Sequence, residues 1–254
     1  MKEKLTIVKV GGAVVEDEAQ LTELLKAFAA IKGAKILVHG GGRRATKVAE
    51  RLGIETKMVD GRRITDAAML EVVTMVYGGL VNKHVVAMLQ AQGVDAIGLT
   101  GADGDVIRSV KRPLKNGIDY GFVGDVKKVD GAKIAHFIDK NLVPVIAPLT
   151  HDGEGNILNT NADTMASETA KALASLYDVT LIYSFEKKGV LSNPDDDDSV
   201  TPSSRMRTSN ATGRTAPSAA VCYRRLRTLW LLLMPASAAS SSPWQRRSTV
   251  NKGR

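Results

Sequence analysis

Apolar positions along the first 200 residues alternate between two periods. Residues 5–10, Leu-Thr-Ile-Val-Lys-Val, read as a buried strand that closes on Gly11-Gly12. Leu21, Leu24, Leu25 and Phe28 then recur at helical spacing, and Gly33 ends that helix. A second strand over 36–39 closes on Gly40-Gly41-Gly42, and a helix over about 43–52 is stopped by Gly53. Thr65 is placed to cap a long helix reaching about residue 90, with Met69, Val72, Val73, Val76 and Leu80 along one face. A strand over 95–99 opens onto a turn-rich loop at 101–105. Between 106 and 129 the period shifts to short strands about an Asn116-Gly117 turn, which reads as a β-hairpin. A helix over 131–141, a strand over 143–147, a polar hairpin or loop over 150–161, a helix with Asp163 near its start, and a strand over 179–184 complete the pattern. Strands alternating with helices predict an α/β fold with a largely parallel sheet covered on both faces.

From residue 201 the pattern stops. This stretch is rich in Ser, Arg, Ala, Thr and Pro, and shows no sustained period. It holds both tryptophans, the only cysteine (Cys222), nine Arg, one Lys and no acidic residue. The chain's net charge of +8 therefore belongs to the tail, since the first 200 residues carry 25 basic and 27 acidic side chains. Such a break is expected of a reading-frame shift, and a natural basic tail is the other source. The tail is expected to stay disordered, with at most a short helix over 223–233. Its arginines, with Trp230 or Trp244, could touch nucleic acid, but no recognisable nucleic-acid fold accompanies them, so no such partner is expected. No apolar run approaches the roughly 20 residues of a membrane helix, the longest being 229–234, so no membrane is expected either. One cysteine and a charged start that lacks a long apolar stretch point to the cytoplasm.

Four segments carry candidate chemistry. In Lys9-Val10-Gly11-Gly12, a lysine sits at a strand's C-terminal end, and two glycines let backbone N–H groups approach a phosphate. The plain alternative is a strand-ending lysine and a tight turn. In His39-Gly40-Gly41-Gly42, three glycines before a helix suit an anion near the helix N-terminus; otherwise this is a loop with His39 as a packing residue. The spacing is not that of the Walker phosphate loop. Arginine in Asp60-Gly61-Arg62-Arg63-Ile64-Thr65, just before a helix, suits a bidentate grip on a carboxylate, or is a solvated surface charge. Asn159-Thr160-Asn161-Ala162-Asp163 sets two amides and a carboxylate at a helix entrance, to orient a substrate or simply to cap.

In this order and rough spacing, Lys-x-Gly-Gly, His-Gly-Gly-Gly, Gly-x-Arg-x-Thr and Asn-x-Asn-Ala-Asp resemble the N-acetylglutamate kinases of the amino-acid kinase superfamily. The resemblance covers residues 1 to about 200. It implies an αβα sandwich with a mainly parallel central sheet, whose C-terminal lobe is incomplete here. Residues 1–178 would form the acylglutamate lobe and core, 179–200 would begin the ATP lobe, and 201–254 would be the aberrant tail. Lys9 would stabilise the transferring phosphoryl group, helped by backbone N–H groups at Gly11, Gly12 and Gly41. Gly41, Gly42, Arg63 and Asn159 would bind the acylated amino acid, with Arg63 on a carboxylate and Arg62 pointing elsewhere. Asp163 would organise the catalytic lysines, and Lys187, Lys188 and Gly189 would begin the nucleotide site.

The implied reaction is ATP-dependent phosphorylation of the γ-carboxylate of an N-acyl-L-glutamate in arginine biosynthesis. Magnesium would travel with the ATP phosphates rather than in a protein cage. The family's second catalytic lysine, in Gly-Gly-Met-x-x-Lys, has no counterpart, since the only lysine after residue 201 is Lys252. Related kinases of carbamate, aspartate or uridylate, or a non-catalytic acylamino-acid binder, are the alternatives. A homodimer without arginine regulation is expected, because the first strand starts within a few residues of Met1 and no extra helix precedes it. The long helix from Thr65 is the interface candidate.

Overall fold

The computed structural model describes residues 2–59, 61–114, 116–185, 222–226 and 229–235. Strand β1 (Lys4–Val10) runs into helices α1 (Gly12–Glu16) and α2 (Glu18–Ala29), and β2 (Ala34–His39) runs into α3 (Gly42–Arg51). A small hairpin, β3 (Met58–Val59) and β4 (Arg62–Arg63), leads to α4 (Ala67–Val73). That helix continues through a π-helical stretch, Thr74–Val81, into α5 (Asn82–Gln90). There follow β5 (Ala96–Leu99), β6 (Ile107–Lys111), β7 (Val123–Val129), α6 (Gly131–Asp139) and β8 (Val143–Ile146). Next come β9 (Leu149–His151), β10 (Ile157–Thr160), α7 (Ala162–Leu173) and β11 (Asp178–Phe185). Strands β12 (Cys222–Leu226) and β13 (Leu229–Pro235) are the last described elements.

The described strands of the main sheet lie in the order β12-β13-β11-β1-β2-β8-β5. From β11 to β5 every pairing is parallel, with β1 between β11 and β2. Each crossover carries a helix, so both faces are covered. The two faces are read in alternate residues of the same strands. Val8, Val10, Leu37 and Val145 pack under the α1–α5 layer, while Leu5, Ile7, Ile36, Val38 and Ile146 meet α6 and α7. The result is the expected αβα sandwich. Strands β6, β7, β9 and β10 leave the sheet and close into a small barrel beside it. The β6–β7 pair is the hairpin expected over 106–129, and β9–β10 resolves 150–161 as a hairpin.

Four expectations are corrected. Thr65 does not cap the long helix: Asp66 does, accepting from the Met69 N–H at 2.9 Å, while Thr65 is buried and bridged to Gly121. The inward face also shifts along that helix. Leu80, placed on it by a 3.6 period, is 47% exposed, whereas Tyr77 and Val81 are buried. The i→i+5 bonds of a π-helical stretch rotate the side chains relative to an α-helix, and a single period cannot follow that. The whole helix, Ala67–Gln90, is also long and apolar enough by length and composition to span a bilayer, which the sequence pattern missed; residues from Met69 to Leu89 along it line the core. Lastly, the helix expected over 223–233 is a strand pair, with β13 antiparallel to both β12 and β11.

Candidate functional site

Two glycine turns meet at the C-terminal edge of the sheet. The Gly11 N–H donates to the Ser184 carbonyl (3.0 Å) and the Gly40 N–H to the Val10 carbonyl (2.9 Å), which pins each turn to a neighbouring strand. A Cβ on Gly12 would stand 3.6 Å from the backbone nitrogens of both Gly41 and Gly42, and one on Gly40 only 3.1 Å from that of Gly12. Glycine is needed here for close approach of two backbones. Helices α1 and α3 open from these turns, and neither has a side-chain cap. A helix N-terminus favours an anion, and two of them open here side by side.

The cation at this edge is Lys9. Its ammonium pairs with the Asp163 carboxylate at 2.8 Å, both side chains being largely buried. Asp163 lies in the first turn of α7, whose N-cap Asn161 accepts from the Thr164 N–H at 2.9 Å. Beside them, burial raises the Tyr183 phenol above its ordinary range, and the Asp163 charge raises it further.

A cavity of about 220 Å³ opens against the Gly40–Gly42 turn. Its walls include Gly41, Gly42, Tyr77, Asn159 and three arginines, Arg62, Arg63 and Arg112. Arg63 is held by four contacts. Nη2 donates to the Gly42 carbonyl (2.9 Å) and Thr46 Oγ1 (2.8 Å), and Nη1 to Thr56 Oγ1 (3.3 Å) and Met69 Sδ (3.6 Å). Arg112 forks onto the Asp125 carboxylate, with Nη2 donating at 2.6 Å, and lies over the Tyr120 ring. Asn159 donates from Nδ2 to Thr65 Oγ1 at 2.9 Å, and a side chain on Gly121, whose φ is +71°, would collide with the Thr65 carbonyl. Burial raises the Tyr77 phenol, and the Arg63 charge and hydrogen bond oppose that rise.

His39 takes the packing role. Fully buried, it is held down to about 4 by loss of solvation, so it is neutral at physiological pH. Nδ1–H then donates to the Gly40 carbonyl at 2.8 Å, leaving Nε2 to accept from Asn82 Nδ2 at 3.1 Å. Asn82 also donates to the Val145 carbonyl at 2.9 Å, so this chain of bonds ties the glycine turn to β8.

Gly41, Gly42, Arg63 and Asn159 thus line one cavity, and Lys9, Asp163, Gly11 and Gly12 gather at the adjoining edge. One detail differs from the sequence reading: Arg62 lines the same cavity as Arg63 rather than pointing elsewhere. Lys187, Lys188 and Gly189 lie outside the described residues. Tyr77 and Arg112 were missed. Tyr77 is turned inward by the π-helical stretch, and Arg112 follows β6 in a segment with no motif around it.

Glycine turns at a parallel sheet edge, a half-buried lysine–aspartate pair and an arginine-lined cavity beside them suit an anionic ligand. The amino acid kinase family profile matches residues 4–218, and the chain belongs to that family. Within it, the chain is similar to the acetylglutamate kinase of Bacteroides thetaiotaomicron, at 70% identity over 202 residues, 80% of this chain and 78% of the relative. The acetylglutamate kinase of Cytophaga hutchinsonii is 60% identical over 198 residues, 78% of this chain and 75% of that one. Among solved structures, a Streptococcus mutans protein superposes with a TM-score of 0.64 at 29% identity, covering 74% of this chain and 75% of the other.

Proposed function

We propose that this chain takes an N-acyl-L-glutamate into the arginine-lined cavity and directs its γ-carboxylate to the terminal phosphorus of ATP, the acetylglutamate kinase reaction of arginine biosynthesis. The observation that carries this is the Lys9–Asp163 pair, 2.8 Å apart, set across one glycine turn from a cavity built for an anion. The high-identity relatives support the same reading.

A carboxylate is ionised at neutral pH, so the nucleophile needs no general base. The chain's task is then alignment and neutralisation of the charge spread over the transferring group. Lys9 supplies the cation, and Asp163 fixes its ammonium in place. The starts of α1 and α3 lie at the same edge. Arg63 and Asn159 hold the acylated amino acid. Among the described residues no cluster of three or more His, Cys, Asp or Glu could cage a metal ion. The donor set therefore fits magnesium carried by the ATP phosphates, where it supplies charge to them.

Residues 179–200, with Lys187, Lys188 and Gly189, begin the nucleotide half in this reading, and 201–254 are foreign to it. The protein acts in the cytoplasm as a homodimer, with the long helix at the interface; its exposed Met75 and Leu80 support that placement. Titration calorimetry of the chain with N-acetyl-L-glutamate, then with ATP–magnesium, tests the proposal. Micromolar to millimolar binding of the first is expected. No heat with any N-acyl-L-glutamate would sink it.

A further inference from the structure

We infer that Tyr77 is a substrate-binding residue: its hydroxyl donates a hydrogen bond to the α-carboxylate of the bound N-acyl-L-glutamate. The inference rests on the functional reading above and goes past it, because it identifies which group reads that carboxylate.

The case begins with Arg63. Its four Nη hydrogens already have protein partners in Gly42, Thr46, Thr56 and Met69. The guanidinium brings positive charge to the cavity, but most of its directional donors are committed to the fold. A second donor is needed beside it, since a buried carboxylate is held by directed hydrogen bonds as well as by charge.

Tyr77 meets that need. Its ring is 5% exposed and lines the cavity. The ring packs flat against the glycine turn: a Cβ on Gly41 would stand 2.8 Å from Cδ1, and the hydroxyl lies 4.0 Å from where a Cβ on Gly42 would be. Glycine at 41 is therefore demanded by the Tyr77 ring. The Arg63 guanidinium lines the same cavity, and its charge acts on the phenol. A phenol hydroxyl can accept and donate, so beside a cation its hydrogen is available to a ligand in the cavity.

Position selects the carboxylate. The γ-carboxylate must reach Lys9 and Gly12, which are not among the cavity's lining residues. Tyr77 and Arg63 do line it, so the carboxylate they face is the α one. The π-helical stretch Thr74–Val81 turns Tyr77 to this position.

The test is calorimetric binding to the full chain, comparing N-acetyl-L-glutamate with 4-acetamidobutanoate, which keeps the acyl amide and the reacting carboxylate and has no α-carboxylate. Tyr77→Phe keeps the ring on Gly41 and removes only the hydroxyl. It should weaken N-acetyl-L-glutamate binding roughly ten- to hundred-fold, while binding of 4-acetamidobutanoate changes less than about threefold. Tyr77→Leu, the second variant, should show the same selective loss. Equal weakening of both ligands would mark Tyr77 as structural only and overturn the inference, as would unchanged affinity of Tyr77→Phe for N-acetyl-L-glutamate. In each of those results the wild-type chain still binds N-acetyl-L-glutamate, and the functional reading stands. A wild-type chain that binds neither ligand overturns both.

Discussion

The two flanks of strand β1 are held together by different means. On the β2 side, side chains far apart in sequence meet by identity: Arg63 with Gly42, Asn159 with Thr65, His39 with Asn82. On the β11 side, the described order past residue 185 is a backbone ladder, in which Thr180 to Phe185 pair with Pro235 to Trp230 and β12 folds back on β13. A ladder asks only for N–H and C=O groups in an extended chain, so many apolar sequences can satisfy it. A guanidinium with four partners asks for particular residues at particular places. The first flank can therefore be broken by single substitutions, which should leave the second unchanged.

The largest effect is expected at Lys9. With residues from 201 onward replaced by the equivalent segment of an acetylglutamate kinase, Lys9→Ala should lower kcat by about 10²–10³, near 3–4 kcal/mol, with acylglutamate affinity nearly intact. Steady-state rates that fall less than fivefold would remove Lys9 from the chemistry.

Arg63→Ala should weaken acylglutamate binding by roughly 2–4 kcal/mol. Because Arg63 also ties β4 to α3, its loss should lower the melting temperature too. Loss of binding with an unshifted melt would show that the four protein contacts contribute little.

His39 gives a pH signature. Its folded pKa, about 4, lies below the ordinary value of 6.5, so the unfolded chain binds the extra proton first. This contribution to stability is complete above about pH 6.5 and is lost as pH falls toward 4, by up to about 3 kcal/mol. Urea unfolding between pH 4 and 7 should show that slope in the wild type and a flatter one in His39→Gln. Equal slopes would mean that other groups dominate.

The smallest effect is expected at Arg62, which shares the cavity but has none of Arg63's documented anchoring. Arg62→Ala should cost less than about 1 kcal/mol of binding, and less still in high salt. A loss equal to that at Arg63 would merge the two arginines into one clamp.

Much of the first flank was legible in the chain. Lys9, Gly12, Gly41, Arg63 and Asp163 stand where strand ends and helix starts could be read from apolar runs and glycines. What stayed hidden depends on contacts between distant segments. Tyr77 comes inward only through a π-helical stretch, which leaves no periodic trace, and Arg112 acquires its role by pairing with Asp125 on the neighbouring strand. The 223–233 segment read as a helix because a short apolar run is ambiguous until it has a strand to pair with.

The long helix has one more consequence, which concerns what lengths of it can be inherited. Asp66 fixes one end by capping, Tyr77 must reach the cavity from the middle, and Asn82 must meet His39 at the far end of the π-helical stretch. One residue more or fewer between 66 and 82 would turn everything beyond it by about 100°. Tyr77 and Asn82 could not then both stay in place. This segment should accept many substitutions on its outer face and no change in length, so insertions and deletions among descendants of this chain should fall in its loops and skip the fifteen positions between 66 and 82.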